Sequence, residues 1–129
     1  MNIEDERRGL NSLAWKINPQ HRPFTAVSRT GGTRADLIDN VKKGDVTIVG
    51  VSWGSGPAGR PPRISGHSLV VVGYNSSTGD LAFLDSVGGA LRKEADFPQQ
   101  YHVAFSVAWQ QQPNWDFWSG DMLTLSLNP

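Results

Sequence analysis

The chain of 129 residues contains no cysteine. Disulfide staples, thiolate metal ligands and a thiol nucleophile are therefore excluded within it. An excess of either charge is missing too, because twelve basic residues balance twelve acidic ones for a formal net charge of zero. Without a basic surface to hold phosphates or anionic lipid headgroups, neither nucleic acid nor an acidic membrane is an expected partner. Long apolar runs are absent. No window approaches the roughly 18 apolar residues of a spanning helix. The charged start, Met1 to Arg8, has no apolar stretch behind it, so no secretory signal is legible and the compartment stays open.

Turn formers are plentiful, with 14 glycines and 8 prolines. They suggest short elements joined by many turns in one domain, residues 1–129. Leu10, Leu13, Ala14 and Ile17 recur at helical spacing within residues 4–17, and Asn18-Pro19 closes that helix. Residues 19–32, with two prolines and Gly31-Gly32, are expected to be a connecting loop. Thr33 with Asp36 three positions on forms a capping box, and Leu37, Ile38 and Val41 give the next helix its apolar face before Gly44 stops it. Asp45 to Trp53 has the composition of a buried strand. Residues 55–65 are an irregular Gly-Pro-Arg loop of the kind that often carries function. Residues 97–109 satisfy helix and strand periods equally, with helix preferred, and Asp121 to Leu127 alternates as a closing strand. Antiparallel strands with one to three helices make an α+β domain.

The richest signal is Gly66-His67-Ser68-Leu69-Val70-Val71-Val72-Gly73-Tyr74, followed after a polar loop by Leu81-Ala82-Phe83-Leu84-Asp85. Two β-branched-rich runs around Asn75–Asp80 predict an antiparallel hairpin. Pairing centred on Ser76 sets His67 opposite Asp85, Leu69 opposite Phe83 and Val71 opposite Leu81. Opposed residues share a face with Cβ atoms roughly 5 Å apart. An imidazole beside a carboxylate is the arrangement that orients a catalytic base and stabilises its charged form.

Gly-His, a run of Val, Gly-Tyr and a following strand that ends in Asp resemble the papain-like cysteine peptidases. Bacteriocin-leader-processing (double-glycine) and staphopain-like enzymes are the nearest variants. The resemblance covers residues 9–109, with its specific motif at Gly66 to Asp85. It implies a papain-like fold, an antiparallel sheet with packed helices, in which His67 and Asp85 are the second and third members of a Cys-His-Asp centre. The first member is missing. The family's Cys opens a helix in a Cys-Gly-x-x-Ser-Leu-Ala pattern, and Gly9-Leu10-Asn11-Ser12-Leu13-Ala14 fits its later part. That alignment puts Arg8 at the nucleophile position and Asn2 near the oxyanion site. Alternatively, the nucleophile lies on a preceding or separate segment. Arginine stays protonated and is no nucleophile, so thiolate chemistry is closed to this polypeptide alone.

Competing sites carry weaker signals. Trp109, Trp115, Phe117 and Trp118 make either a core cluster or a stacking platform for peptide or sugar, with Trp115 and Trp118 the binding candidates. Arg60 and Arg63 precede His67 and would suit an anionic group, Arg63 more closely. His21 and His102 have no second ligand at metal spacing, and the Gly-Gly pairs lie outside any phosphate-binding motif, so no metal or cofactor is expected. Three functions follow. The chain is an inactive peptidase homologue that binds peptide or protein, or the His/Asp-bearing part of an enzyme completed by another segment, with possible self-association. Otherwise it is a Trp-based binding module.

Overall fold

The computed structural model describes residues 3–53, 65–85, 89–101, 104–110 and 120–128. In chain order the elements are α1 (Ile3–Ile17), β1 (Phe24–Arg29), α2 (Arg34–Lys43), β2 (Val46–Trp53), β3 (Ser65–Asn75) and β4 (Asp80–Asp85). They continue with β5 (Ala90–Lys93), a 3₁₀ turn at Glu94–Asp96, α3 (Phe97–Tyr101), α4 (Phe105–Gln110) and β6 (Met122–Leu127). The strands form one six-stranded sheet, ordered β1-β6-β2-β3-β4-β5, and every pairing is antiparallel. Sheet and helices together make a mixed α+β architecture.

Strand alternation divides the apolar residues between two faces. Val49, Val51, Leu69, Val71, Leu81 and Phe83 point to one face and are fully buried with Leu37 of α2 and with Phe97, Phe105 and Trp109 of α3 and α4. The aromatic part is tightly knit: the Phe83 and Phe105 centroids lie 4.6 Å apart, and Phe105 stacks on Trp109 at 5.3 Å. The Trp109 indole donates to the Asp121 carbonyl at 2.9 Å, so the polar end of the ring is satisfied inside the core. The opposite face has a smaller cluster, in which Ile3 and Leu10 of α1 meet Ala26, Leu123 and Leu125.

Three expectations change. Residues 24–29 form an edge strand, not a loop. Among them only Ala26 is buried, so the alternation that marks a half-buried strand is too faint to read. The buried face of α1 is Ile3, Leu10 and Ala14, while Leu13 and Ile17 are exposed. Polar bonds rotate the helix: the Asn11 side-chain amide donates to the Ala26 carbonyl at 2.9 Å and its oxygen accepts from the Ala26 amide at 2.8 Å, and Ser28 donates to Glu4. Helix is found where it was preferred, but as two separate elements, α3 at Phe97–Tyr101 and α4 at Phe105–Gln110.

Local chemistry around α2 matches its sequence. Thr33 and Asp36 make the capping box, and Gly44 ends the helix in the left-handed region at φ 81°. Arg34 then ties three elements together. Its guanidinium donates to both Glu94 carboxylate oxygens, at 2.9 and 2.7 Å, and to the Gly79 carbonyl, while the Leu81 amide donates to Glu94 at 3.0 Å. Burial pushes the Glu94 carboxyl up, but the Arg34 and Leu81 hydrogen bonds and the Arg34 charge outweigh it, leaving a net lowering. The Thr33 amide and hydroxyl, with Arg29 beside them, hold the Asp36 carboxyl low as well. A carboxyl lowered on folding stabilises the native state above its unfolded value of about 4 and loses that contribution as pH falls through its native value. Urea unfolding is therefore expected to show stability declining below about pH 4, and less steeply in Asp36→Asn and Glu94→Gln than in wild type.

Candidate functional site

His67 and Asp85 meet on the helix-covered face of β3 and β4. His67 Nε2 lies 2.8 Å from Asp85 Oδ1, with the imidazole 9% and the carboxylate 1% exposed. An ionised Asp85 accepts the Nε2 proton, which makes Nδ1 the basic nitrogen of the neutral ring and the atom through which it exchanges protons with an outside acid.

The contact does not arise from the expected register. Asp85 is opposite Leu69, and His67 is opposite Val51 on β2, so imidazole and carboxylate approach diagonally across two neighbouring strands. Two features produce this offset. The loop contracts to four residues, 76–79, because Asn75 Oδ1 accepts from the Ser77 and Thr78 amides and Gly79, at φ 79°, donates back to the Asn75 carbonyl. Asn75 then pairs with Asp80, Tyr74 with Leu81 and Gly73 with Ala82. Continued without interruption, that ladder would set Asp85 opposite Val70 and turn it away from His67. A bulge between Val71 and Gly73 absorbs one residue, Val72, and returns Asp85 to the His67 face.

A third group stands beside the pair. Arg92 Nε lies 3.9 Å from Asp85 Oδ2, is buried, and has no hydrogen-bond partner among the described residues. It comes from β5, where Arg92 is paired with Phe83 and Ala90 with Asp85. The sequence analysis missed both strand and arginine. The available signal was Ala90-Leu91-Arg92-Lys93 following Gly89, four residues being too few for a period to emerge. The buried carboxylate is thus flanked by an imidazole and a guanidinium, which offset its desolvation.

The remaining candidates lie elsewhere. Arg8 sits inside α1 instead of opening it, pairs with Asp5 at 3.8 Å, and belongs to the helix packed on the other sheet face. Trp109 is core. His21 is exposed. Asn2, Arg60, Arg63, His102, Trp115, Phe117 and Trp118 fall outside the described residues. Among the described residues no three His, Asp or Glu side chains gather as a metal-ligand set, and no helix is long and apolar enough to cross a membrane. A groove of about 310 Å³ between α2 and strands β1 and β6 is lined by Arg29, Asp39, Asn40, Lys43 and Thr124 and is separate from the His67 pair. Comparison with protein-family models, curated proteins and solved structures finds no match to the chain.

Two outcomes are expected. Nitrogen-15 spectra of the imidazole show the proton on Nε2 in the wild type and a mixture of tautomers in Asp85→Ala. Deleting Val72 removes only the residue that the bulge absorbs, so Leu69 stays opposite Asp85 and the Nε2 tautomer is kept. Arg92→Met leaves the buried carboxylate with one fewer counter-group and lowers unfolding stability by about 1–3 kcal/mol, whereas Arg92→Met combined with Asp85→Asn loses less than the two single losses added.

Proposed function

We propose that the chain is a papain-like cysteine peptidase homologue that keeps the acid–base half of the centre and binds peptide or protein without cleaving it. The observation that carries this reading is the buried, hydrogen-bonded His67–Asp85 pair on adjacent antiparallel strands, in the chain order of the family motif. In such a centre the imidazole takes the thiol proton and later delivers it to the leaving amine, while the carboxylate fixes the ring. Here His67 and Asp85 are suited to those two tasks, but the chain has no thiol to take up the acyl group, so the cycle has no first step. Contacts that position a peptide do not depend on the thiol, so binding is retained where turnover is lost.

A second version has a specific observation in its favour. Arg8 lies on the helix that covers the opposite sheet face, which favours a nucleophile supplied from outside α1. A segment supplied from elsewhere would then bring its thiol to His67, with proton transfer running to Nδ1.

Both versions are tested with one protein. A degenerate-sequence octapeptide pool is added to isotope-labelled chain. The expected result is amide shift changes centred on Leu69, Asp85, Ala90 and Arg92, with no hydrolysis of a fluorogenic peptide. Changes confined to other regions, or none, overturn the binding site. A synthetic Cys-Gly-x-x-Ser-Leu-Ala peptide is expected to react with iodoacetamide faster beside the wild-type chain than beside His67→Ala if the nucleophile is supplied in trans. Equal rates reject that version.

A further inference from the structure

Among the described residues, the sheet face opposite His67 is only half covered. Asn11 and Glu4 bond to the outer margin of β1, so α1 rests over β1 and β6. Helical spacing then turns Glu6, Leu13 and Ile17 inward across the sheet. Beyond them runs a continuous row of directly paired apolar residues: Ile48 faces Val70, Val70 faces Leu84, and Leu84 faces Leu91. Its far end is open to solvent, with Leu84 42% and Leu91 66% exposed, and Val46 and Val72 are exposed beside it. The described residues thus form a trough with an apolar floor and a single wall. Contiguous apolar surface of this kind marks an association site, unlike single exposed residues.

We propose that this half-face is an interface between two copies of the chain, related by a two-fold axis parallel to the strands. The proposal goes beyond peptide binding and uses the other side of the sheet. Each copy holds both parts needed. Rotation about such an axis lays the bare β3-β4-β5 floor of one copy on that of the other, and sets each α1 flank, with Leu13 and Ile17, against the partner's open β5 margin. The contact is therefore self-complementary, as a closed two-fold dimer requires.

Charge supports the same arrangement. Glu6 on the inward flank of α1 is half-buried, and burial pushes its carboxyl up. Lys93 is exposed at the far edge, on the trough side of β5 opposite Ala82. Five strand spacings separate β1 from β5, roughly 24 Å at about 4.8 Å each, so the two cannot pair within one molecule. The two-fold brings Glu6 of each copy to Lys93 of the other. Zero net charge leaves no overall repulsion to oppose association. The floor measures roughly 15 by 20 Å, and the two helix flanks extend it toward the ~800 Å² per partner of a stable interface.

Sedimentation equilibrium of the full chain over a wide dilution range tests the idea. The wild type is expected to form a dimer and no larger species, and Leu91→Lys to be monomeric with an unchanged circular dichroism spectrum. Glu6→Lys and Lys93→Glu each weaken the dimer by about tenfold or more, and combining them in one chain restores it. A change of spectrum in Leu91→Lys would leave the charge series as the deciding measurement, since Glu6 and Lys93 are not core residues. A wild-type chain that is monomeric throughout, as expected if another segment or protein covers the trough, overturns the proposal. So does association that survives Leu91→Lys or fails to recover in the charge-swapped double variant.

Discussion

The structure turns on parity. In a β-strand each residue points to the side its predecessor does not, so a contact between residues 67 and 85 depends on the number of residues between them and on how the ladder consumes them. The four-residue turn after Asn75 starts the pairing one step out of phase, and the bulge at Val72 removes that step. Turn and bulge are therefore one device. Each alone would place the imidazole and the carboxylate on opposite sides of the sheet, and together they produce a 2.8 Å contact.

The apolar layer beneath supplies the rest of the site's character. Phe83 lies two residues before Asp85 on the same strand face, fully buried among Phe97 and Phe105. This leaves the carboxylate little access to water, so its polarity must be met by protein groups. His67 and Arg92 approach it from opposite neighbouring strands. An ion set in an apolar bed costs stability unless its partners are held closely, and proteins keep such arrangements mostly where geometry matters more than economy of folding. In that context the histidine–aspartate contact is held inside the fold and not on a solvated surface, with the imidazole 9% and the carboxylate 1% exposed.

Much of this was legible in the residues, and the failures have physical causes. The α2 cap, the Gly44 stop and strands β2, β3, β4 and β6 follow from side-chain chemistry and alternation that are strong within a few residues. Asp85 and His67 could be paired because His67 precedes one apolar run and Asp85 closes the next. The register was out of reach, since three consecutive valines at 70–72 give no sign of which one the ladder skips. Strand β1 was hidden because an edge strand buries little, and β5 because it is four residues long. The rotation of α1 was set by Asn11, whose partner is main chain fifteen residues away, a contact that periodicity does not encode.

Asn11 has one more consequence. By meeting both the carbonyl and the amide of Ala26, its side chain does what a neighbouring strand would do at the middle of β1, sealing that border of the sheet. Among the described residues, lateral growth by strand addition is left with the β5 border. A ribbon built edge to edge needs two unlike sticky ends, and the described residues offer one, at β5. Any such joining is self-limiting: it terminates at a pair and cannot propagate into a fibre.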